Sequence, residues 1–426
     1  MLRLVCIILF ITLSIVKVRA QVNPYERMHR TLDSLVTLGI DSQAFPGAQI
    51  HIRYKDSVIY HRVWGHHTYN NERLVQMNDI YDLASITKVS TGLPVIMKLY
   101  GEGKLNIDAP LKNYSRDFKK SDKRNLTLRS VLAHQAGLVP YIVFWQNTLR
   151  KNGRYKCRTF KTSASSKFTI PITDSLFLHK KYVKKMKKAI RKSRLKPEGE
   201  YAYSGITFLL MPEILEGIVD GDFVSYLYDS IYHQIDAHDL VYQPLNNYNL
   251  ERIIPTEHDS FWRKQLVHGT VHDEAAAMLN GVSCNAGLFG SASSLSNLFQ
   301  LYLNKGKWKE EQIIPAQAIQ IFTDYQYEDN RRGLGFDKPL REYDQDRSYI
   351  AKSASHASYG HSGFTGTMIW ADPEYDLVFT FLSNRVYPSR DHRNLYKLSL
   401  RPQLHQAVYD YIIEIEGEVQ NLEDLN

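Results

Sequence analysis

The chain contains the stretch Leu83-Ala84-Ser85-Ile86-Thr87-Lys88-Val89-Ser90, in which a serine and a lysine stand three residues apart. Because three residues make nearly one turn of a helix, Ser85 and Lys88 would share one helix face. A serine hydroxyl is a weak nucleophile until a base takes its proton, and a neighbouring lysine can act as that base. Two other pairs have this spacing, so the surrounding sequence has to select the functional one: Ser14 with Lys17, and Ser193 with Lys196.

Hydrophobic patterns on both sides of this stretch predict its structural setting. Apolar residues at helical spacing predict an opening helix near residues 25–36 and a helix that runs from Ser85 to a stop at Gly101. Alternating patterns predict one β-hairpin over residues 50–62 and another over residues 367–382. Apolar residues every four positions then predict a last helix beginning at Leu400, with Pro402 in its first turn.

These elements indicate an α/β protein in which both ends of the chain contribute to one lobe. The sheet elements fall in residues 21–84 and 285–426, and we expect them to form a single α/β lobe. Helices dominate residues 85–284, which we expect to form an inserted helical lobe. No repeat or long low-complexity linker divides residues 21–426, so we interpret them as one domain.

The first twenty residues have the pattern of a signal peptide. An apolar run from Leu4 to Val16 is flanked by basic residues and ends at Ala20, where a signal peptidase could cut. A run of thirteen residues is short for a membrane span, although a retained anchor is the alternative. We therefore expect an exported protein, periplasmic or extracellular. The mature chain would keep only Cys157 and Cys284, so at most one disulfide could form.

The positive charge of the chain is concentrated in one region. Residues 141–200 hold 17 lysines and arginines against three acidic residues, whereas the remainder of the mature chain is net acidic. The whole protein therefore lacks a nucleic-acid-binding signature. Within this basic stretch, residues 182–190 permit an amphipathic helix that contacts an anionic surface. The alternative is a helix that packs by its apolar face and leaves a solvated basic side.

Short motifs along the chain occur in the order found in the serine β-lactamase and penicillin-binding protein superfamily, and the chain resembles its class C-like and esterase-like branch. The motifs are Phe45-Pro46-Gly47-Ala48, Tyr81 to Lys88, Lys104-Leu105-Asn106-Ile107-Asp108, Leu132-Ala133-His134-Gln135-Ala136-Gly137-Leu138, Gly287-Leu288-Phe289 and Gly360-His361-Ser362-Gly363-Phe364-Thr365-Gly366. The resemblance implies a β-lactamase/transpeptidase-like fold, with an antiparallel sheet flanked by helices and a mainly helical insertion.

The resemblance also implies roles for individual residues. Ser85 would be the nucleophile that accepts the acyl group, and Lys88 would hold or relay its proton. The Tyr-x-Asn motif of the family falls on Tyr203-Ser204-Gly205, which makes Tyr203 a second general acid/base. The backbone N–H groups of Ser85 and Phe364 would form the oxyanion hole.

We expect Ser204, Gly205, Ser362 and Gly363 to bind the substrate, and two positions of these motifs, Gly205 and His361, depart from the family pattern. Gly205 replaces the usual asparagine, which contacts the acyl-amide group of the substrate, so we expect weak recognition of that group and a gain from Gly205→Asn. His361 replaces the lysine of the Lys-Thr-Gly strand. We expect His361 to be partly charged near neutral pH and to contact a substrate carboxylate.

These inferences predict a serine hydrolase that forms an acyl-enzyme on an amide or ester and needs no metal or cofactor. A cell-wall-peptide or D-amino-acid amidase, an esterase and a weak β-lactamase all remain open, with a small-molecule or peptide substrate. The alternative, motivated by Gly205 and His361, is a non-catalytic penicillin-binding-like domain that binds wall fragments or a partner protein. For single residues, the alternatives are a core tyrosine at Tyr203 and a simple strand residue at His361. His268 and His272 have the spacing of a zinc pair, but the glycine between them and the missing glutamate argue against a metal site.

Overall fold

The computed structural model describes residues 23–70, 72–197 and 199–423, and the predicted signal peptide, residues 1–20, lies outside them. In this part of the chain the strands, in chain order, are β1 (Gly47–Tyr54), β2 (Ser57–Gly65), β3 (Tyr81–Asp82), β4 (Phe160–Lys161), β5 (Phe168–Thr173), β6 (Leu176–His179), β7 (Val241–Tyr242), β8 (Glu257–Asp259), β9 (Gln265–Val267), β10 (Leu288–Gly290), β11 (Lys307–Trp308), β12 (Glu311–Gln312), β13 (Tyr359–Ser362), β14 (Met368–Asp372) and β15 (Leu377–Ser383). The helices are α1 (Pro24–Asp41), α2 (Thr87–Ser90), α3 (Gly92–Gly101), α4 (Leu128–Leu132), α5 (Lys181–Lys192), α6 (Met211–Val219), α7 (Phe223–Leu227), α8 (Glu274–Ala277), α9 (Ala292–Leu303), α10 (Ala316–Thr323), α11 (Asn394–Lys397) and α12 (Leu400–Glu423).

The largest sheet is antiparallel and takes its strands from both ends of the chain. Its order is β13-β14-β15-β1-β2, and β1 pairs with β15 from Ala48 opposite Ser383 to Tyr54 opposite Leu377. The predicted hairpin of β1 and β2 is confirmed. Lys55 and Asp56 at its turn both have positive φ, which suits the twist of the two strands. The expected α/β class with an antiparallel sheet is therefore confirmed.

Alternating side chains of the central strand β15 supply two hydrophobic cores, one on each face of the sheet. Phe379 and Phe381 face one cluster, which includes Leu32 of α1 and Leu404 of α12. Val378 and Leu382 face the other cluster, which extends into α9 and the helices between the two groups of strands. A strand that is buried on both faces has a nearly continuous run of apolar residues in its sequence, as residues 377–382 have. Helices therefore cover both faces of the sheet.

The last helix and the opening helix pack side by side on the first of these faces. The predicted helix from Leu400 is confirmed as α12, and Pro402 lies in its first turn, where no backbone N–H is needed. The opening helix α1 buries Met28, Leu32 and Val36 at the predicted spacing. Among the described residues, no helix combines the length and hydrophobicity that a membrane crossing requires.

The helix predicted from Ser85 to Gly101 ends where expected but is broken in the middle. Ser85 lies in a short 3₁₀ turn, Ala84–Ile86, which continues into α2, and a break at Thr91 separates α2 from α3. Pro94 explains the break, because a proline ring clashes with the carbonyl four residues earlier and cannot donate to it. That carbonyl, on Ser90, accepts a hydrogen bond from the Tyr232 hydroxyl instead.

The basic stretch contains a small sheet that the sequence reasoning missed. Strands β4, β6 and β5 form a three-stranded antiparallel sheet just before the basic helix α5. Helix α5 buries Tyr182, Met186 and Ile190 against the helical core. The apolar face of α5 is therefore packed inside the protein, and any contact of this region with an anionic surface would have to use its charges alone.

Candidate active site

Two side chains that can carry a proton contact the hydroxyl of Ser85. Lys88 Nζ donates a hydrogen bond to Ser85 Oγ at 3.1 Å, and the Tyr203 hydroxyl donates to the same oxygen at 3.1 Å. Lys88 is almost fully buried, with 1% of its surface exposed. A second hydrogen bond of 2.9 Å, to the backbone oxygen of Asn285, holds its ammonium in place. The structure thus brings together three residues that the sequence reasoning had selected.

The backbone around Ser85 is strained and firmly held. Ala84 adopts a φ of +47°, a left-handed conformation that is uncommon for a residue with a side chain. The buried carboxylate of Asp82 accepts the Ala84 N–H at 2.8 Å and the His272 N–H at 2.7 Å. The Thr365 hydroxyl donates to the Asp82 backbone oxygen at 2.7 Å. These bonds fix the turn that presents Ser85 at the start of its helix.

A cavity of about 610 Å³ opens onto Ser85. Its volume is in the range of sites that bind small molecules or short peptides. The residues that line it include Ser85, Lys88, Tyr141, Phe144, Tyr203, Gly205, Leu209, Asp273, Glu274, Asn285, Phe364 and Arg390. Five of the predicted site residues therefore line the same cavity: Ser85, Lys88, Tyr203, Gly205 and Phe364.

The loop after β13 is fixed by arginines from the C-terminal part of the chain. Arg401 of α12 donates to the Gly363 carbonyl at 2.9 Å, and Arg385 donates to the Phe364 carbonyl through two nitrogens. In a trans peptide the C=O and N–H groups point in opposite directions. Because Arg401 holds the Gly363 oxygen, the Phe364 N–H of the same peptide points away from α12. This geometry suits the predicted oxyanion donor, whose role stays a prediction.

Gly363 lies where the loop approaches the nucleophile turn too closely for a side chain. A Cβ at this position would be 2.6 Å from the Leu83 carbonyl oxygen and 2.1 Å from Thr367 Oγ1. Its N–H donates to the Thr367 carbonyl at 2.8 Å. Among the described residues, neither Gly363 nor Ser362 lines the cavity. Gly363 therefore allows the close packing of loop and turn, and its expected role in substrate binding stays a prediction.

His134 supports the segment that carries Tyr203. Its Nδ1 accepts the Ser204 N–H at 3.2 Å, its backbone oxygen accepts the Ala202 N–H, and its ring lies 4.6 Å from the Tyr203 ring. Ser204 is buried, and its hydroxyl donates to the Val139 carbonyl at 2.7 Å. The Ser204 side chain therefore holds a neighbouring loop, and its expected role in substrate binding stays a prediction.

The expectation that His361 is partly charged near neutral pH is wrong. Burial, and after it the nearby Arg332 guanidinium, lower the pKa of His361 to about 3. Only 3% of the residue is exposed, and its Nδ1 is hydrogen-bonded to the Ser362 backbone oxygen at 2.8 Å. The ring lies 6.1 Å from that of Tyr203 and does not line the cavity. A neutral, buried imidazole cannot be the cation that was expected to contact a substrate carboxylate.

Charged residues at another part of the cavity wall are engaged with one another. Arg390 donates to Glu257 at 2.6 Å and to Glu274 at 2.7 Å. Although burial acts to raise the pKa of Glu257, hydrogen bonds from His272 and Arg390 lower it to about 2. The ring of His268 is bonded to the Ile253 backbone oxygen. Within the described chain, no three His, Cys, Asp or Glu side chains are grouped as metal ligands.

Sequence reasoning missed two residues next to the nucleophile. Asn285 and Asp273 line the cavity, and the Asn285 side chain lies against Gly205. Asn285 stands just before the Gly287-Leu288-Phe289 motif, but its type and position gave no signal of their own. Both cysteines of the described residues are free, Cys157 exposed and Cys284 buried, so the disulfide left open by the sequence does not form.

The fold and this site define the class of protein. The beta-lactamase family profile matches residues 32–401, and the chain belongs to that family. A protein of Escherichia coli O157:H7 that is provisionally named D-alanyl-D-alanine carboxypeptidase is 26% identical over 414 residues, which cover 91% of this chain and 89% of the relative.

Solved structures of related folds superimpose on the same extent of the chain. A penicillin-binding protein homologue from Caulobacter crescentus has a TM-score of 0.64 at 16% identity and covers 91% of this chain and 97% of its own. A class C beta-lactamase also has a TM-score of 0.64, at 13% identity, with 90% of this chain and 98% of its own covered. At these identities the likeness shows the β-lactamase-type fold, which the sequence motifs had predicted.

Proposed function

We propose that this protein is a serine hydrolase that forms an acyl-enzyme at Ser85. The observation that carries the proposal is the pair of 3.1 Å hydrogen bonds to Ser85 Oγ from Lys88 and Tyr203, at the wall of an open cavity. A hydroxyl contacted by two proton carriers meets the geometric requirement for an activated nucleophile. The family membership of the chain supports the same interpretation.

In the proposed reaction, the Lys88 and Tyr203 pair begins one proton short, as amine with phenol or as ammonium with phenolate, and takes the proton of Ser85 Oγ as this oxygen attacks the scissile carbonyl carbon. The carbonyl oxygen gains negative charge, which the N–H groups of Ser85 and Phe364 stabilise. When the carbon–leaving-group bond breaks, Tyr203 returns a proton to the departing amine or alcohol. Water then attacks the acyl carbon, a proton passes back through the same groups, and the acid product leaves with Ser85 regenerated.

We propose peptides that end in D-alanyl-D-alanine as the first substrate class to test. The support is the name of the E. coli relatives, together with a cavity large enough for a short peptide. Small esters and penicillins are the other acyl donors that the proposed chemistry can accept. We further propose that the protein acts after export, on the basis of the signal-peptide pattern in residues 1–20.

The test combines covalent labelling with kinetics. Intact-mass analysis after exposure to a fluorophosphonate, and separately to penicillin, should show an adduct on wild type and none on Ser85→Ala. We expect Ser85→Ala and Lys88→Ala each to lower kcat at least about a thousandfold, because residues of a catalytic unit lose nearly all activity when any one is removed. The release of D-alanine measures the hydrolysis of a tripeptide that ends in D-alanyl-D-alanine.

The second serine–lysine pair of the described chain provides matched controls. Ser193 and Lys196 have the same spacing, but Lys196 is exposed and the Ser193 hydroxyl only caps α5 through the Ile190 carbonyl. Ser193→Ala and Lys196→Ala should leave kcat/KM within about twofold of wild type. If wild type gave no adduct with either reagent and no turnover, the proposal would be wrong and the non-catalytic binding domain would be favoured.

A further inference from the structure

The space that a side chain at residue 205 would occupy is filled by Asn285. A Cβ built on Gly205 would lie 2.0 Å from Asn285 Oδ1 and 2.9 Å from its Cγ, far inside van der Waals contact. The φ angle of Gly205 is not in the left-handed region, so this contact, and not the backbone, is what a side chain would meet. A side chain at 205 and the present position of the Asn285 carboxamide therefore exclude each other.

Asn285 belongs to the same cavity wall as the reactive groups. Its backbone oxygen accepts the 2.9 Å hydrogen bond from Lys88 Nζ, and its side chain lines the cavity with Ser85 and Tyr203. The carboxamide is thus attached to the residue that also fixes the ammonium beside Ser85.

Neighbouring groups hold Asn285 in this position. Its N–H donates to Ser283 Oγ at 3.2 Å, and that hydroxyl donates to the Ala286 carbonyl at 2.8 Å. The side-chain nitrogen lies 3.5 Å from Asp273 Oδ2, while Oδ1 of Asp273 caps α8 by accepting the Ala276 N–H. An amide nitrogen carries two hydrogens, so one can point to Asp273 while the other donates to a ligand.

We propose that Asn285 supplies the carboxamide that Gly205 lacks, and that it hydrogen-bonds an amide group in the acyl part of the substrate. This inference rests on the proposed acyl-enzyme function at Ser85. It names the substrate class as acyl donors with an amide next to the carbon that bears the scissile carbonyl, as in N-acylated amino acids and peptides. The expected gain from Gly205→Asn is thereby reversed, because the new side chain would displace Asn285.

The first experiment compares two p-nitrophenyl esters of equal chain length, the ester of N-acetylglycine and the ester of pentanoic acid. They differ in the acyl amide and share the leaving group. The readout is the ratio of kcat/KM for the amide ester to kcat/KM for the pentanoate. We expect Asn285→Ala to lower this ratio about tenfold, the effect of one hydrogen bond in a desolvated site.

A second experiment moves the asparagine to the family position. Gly205→Asn alone should lower the ratio, because its side chain overlaps the Asn285 Oδ1 position. The double variant Gly205→Asn with Asn285→Gly should return the ratio to within about threefold of wild type, so the two changes should be strongly non-additive. A merely structural role of Asn285 would not produce this rescue.

Asn246→Ala is the control. Asn246 is exposed and lies outside the cavity at Ser85, and its side chain donates a hydrogen bond to Gln243. Its ratio should equal that of wild type. A higher ratio in Gly205→Asn, or a ratio unchanged in Asn285→Ala while wild type hydrolyses both esters, would overturn the assignment of Asn285 and leave the proposed function intact. A wild type that hydrolysed neither ester and formed no adduct at Ser85 would overturn both.

Discussion

The amino group of Lys88 is buried, and fixed partners take the place of water around it. It donates to Ser85 Oγ and the Asn285 carbonyl and lies within 5.7 Å of the ring centres of Tyr203 and Phe208. The ring faces offer negative electrostatic potential to a cation. A group held this way has little freedom to leave Ser85, which keeps the proton carrier in place through the acylation and deacylation steps that we propose.

His361 should take no part in the pH dependence of the reaction near neutrality. Its pKa of about 3 leaves the ring neutral above about pH 5, so no protonation of His361 falls between pH 5 and pH 8. We expect His361→Asn, which can keep a donor to the Ser362 carbonyl, to leave the inflections of the kcat/KM profile in that range where wild type has them. Profiles on an anionic peptide and a neutral ester provide the measurement.

The result that would contradict this prediction is a shift of the acidic inflection of the kcat/KM profile by more than about half a pH unit in His361→Asn on the anionic peptide alone. Such a shift would show that protonation of His361 affects binding of the anionic substrate. Equal shifts on both substrates would instead indicate a change in the groups around Ser85.

For individual residues, the sequence predicted the reactive side chains but not the residues that hold them in place. Ser85, Lys88 and Tyr203 were found because each stands in a motif, and motif order is visible in one dimension. Asn285 could not be found, because only the folded structure shows that its side chain fills the space beside Gly205, 80 residues earlier in the chain. The charge of His361 was misjudged for a related reason, because burial cannot be read from residue type.

The loop after β13 owes its position to the first turn of α12. Arg401 is 4% exposed and holds the Gly363 carbonyl, so we expect Arg401→Met to loosen the peptide that carries the Phe364 N–H. A donor to the developing oxyanion acts mainly on the transition state, so kcat should fall about tenfold or more while KM changes by less than about twofold. Ester kinetics measure both constants.

Arg393→Met is the matched control for this variant. Arg393 stacks on the ring of Tyr396 at 5.3 Å, as Arg401 does at 5.5 Å, but it is exposed at the surface. The Arg393→Met variant should have the same kcat as wild type. Unchanged kcat in a folded Arg401→Met protein, checked by circular dichroism, would contradict the positioning role.

The elements themselves were predicted where a pattern was long and regular. The helices α1 and α12 and the hairpins at both ends agree with their periodicity, whereas the break before Pro94 was missed although proline is the usual cause of such breaks. The hairpin of β5 and β6 was missed because lysines dominate the composition around it. The alternation of Phe168, Ile170 and Ile172 was the signal that could have revealed it.

The molecule as a whole should lose stability in mild acid through buried neutral histidines. His405 is fully buried against Phe379, accepts the Ala351 N–H at 3.2 Å, and has its pKa lowered to about 3 by burial. Because the unfolded chain binds a proton near pH 6.5 and the folded one does not, acid favours unfolding. Between pH 8 and pH 5 this residue should cost about 2 kcal/mol.

His405→Asn removes the titrating group and can keep an acceptor for Ala351. We expect the loss of unfolding free energy between pH 8 and pH 5 to be smaller in this variant by about 2 kcal/mol than in wild type. Urea denaturation at both pH values measures it. The same pH dependence in both proteins would show that His405 is protonated in the folded state.

The pairing of β1 with β15 has a consequence for how the protein is made. The ribosome synthesises β1 and β2 early. The edge of β1 that pairs with β15 therefore has no partner until residues 377–383 have been translated. An open strand edge invites pairing with other chains, so a nascent chain that began to fold at once would be prone to aggregate. We propose that this chain is exported in an extended state, in which β1 presents no strand edge, so that the edge would be unpaired only while residues 377–383 follow across the membrane.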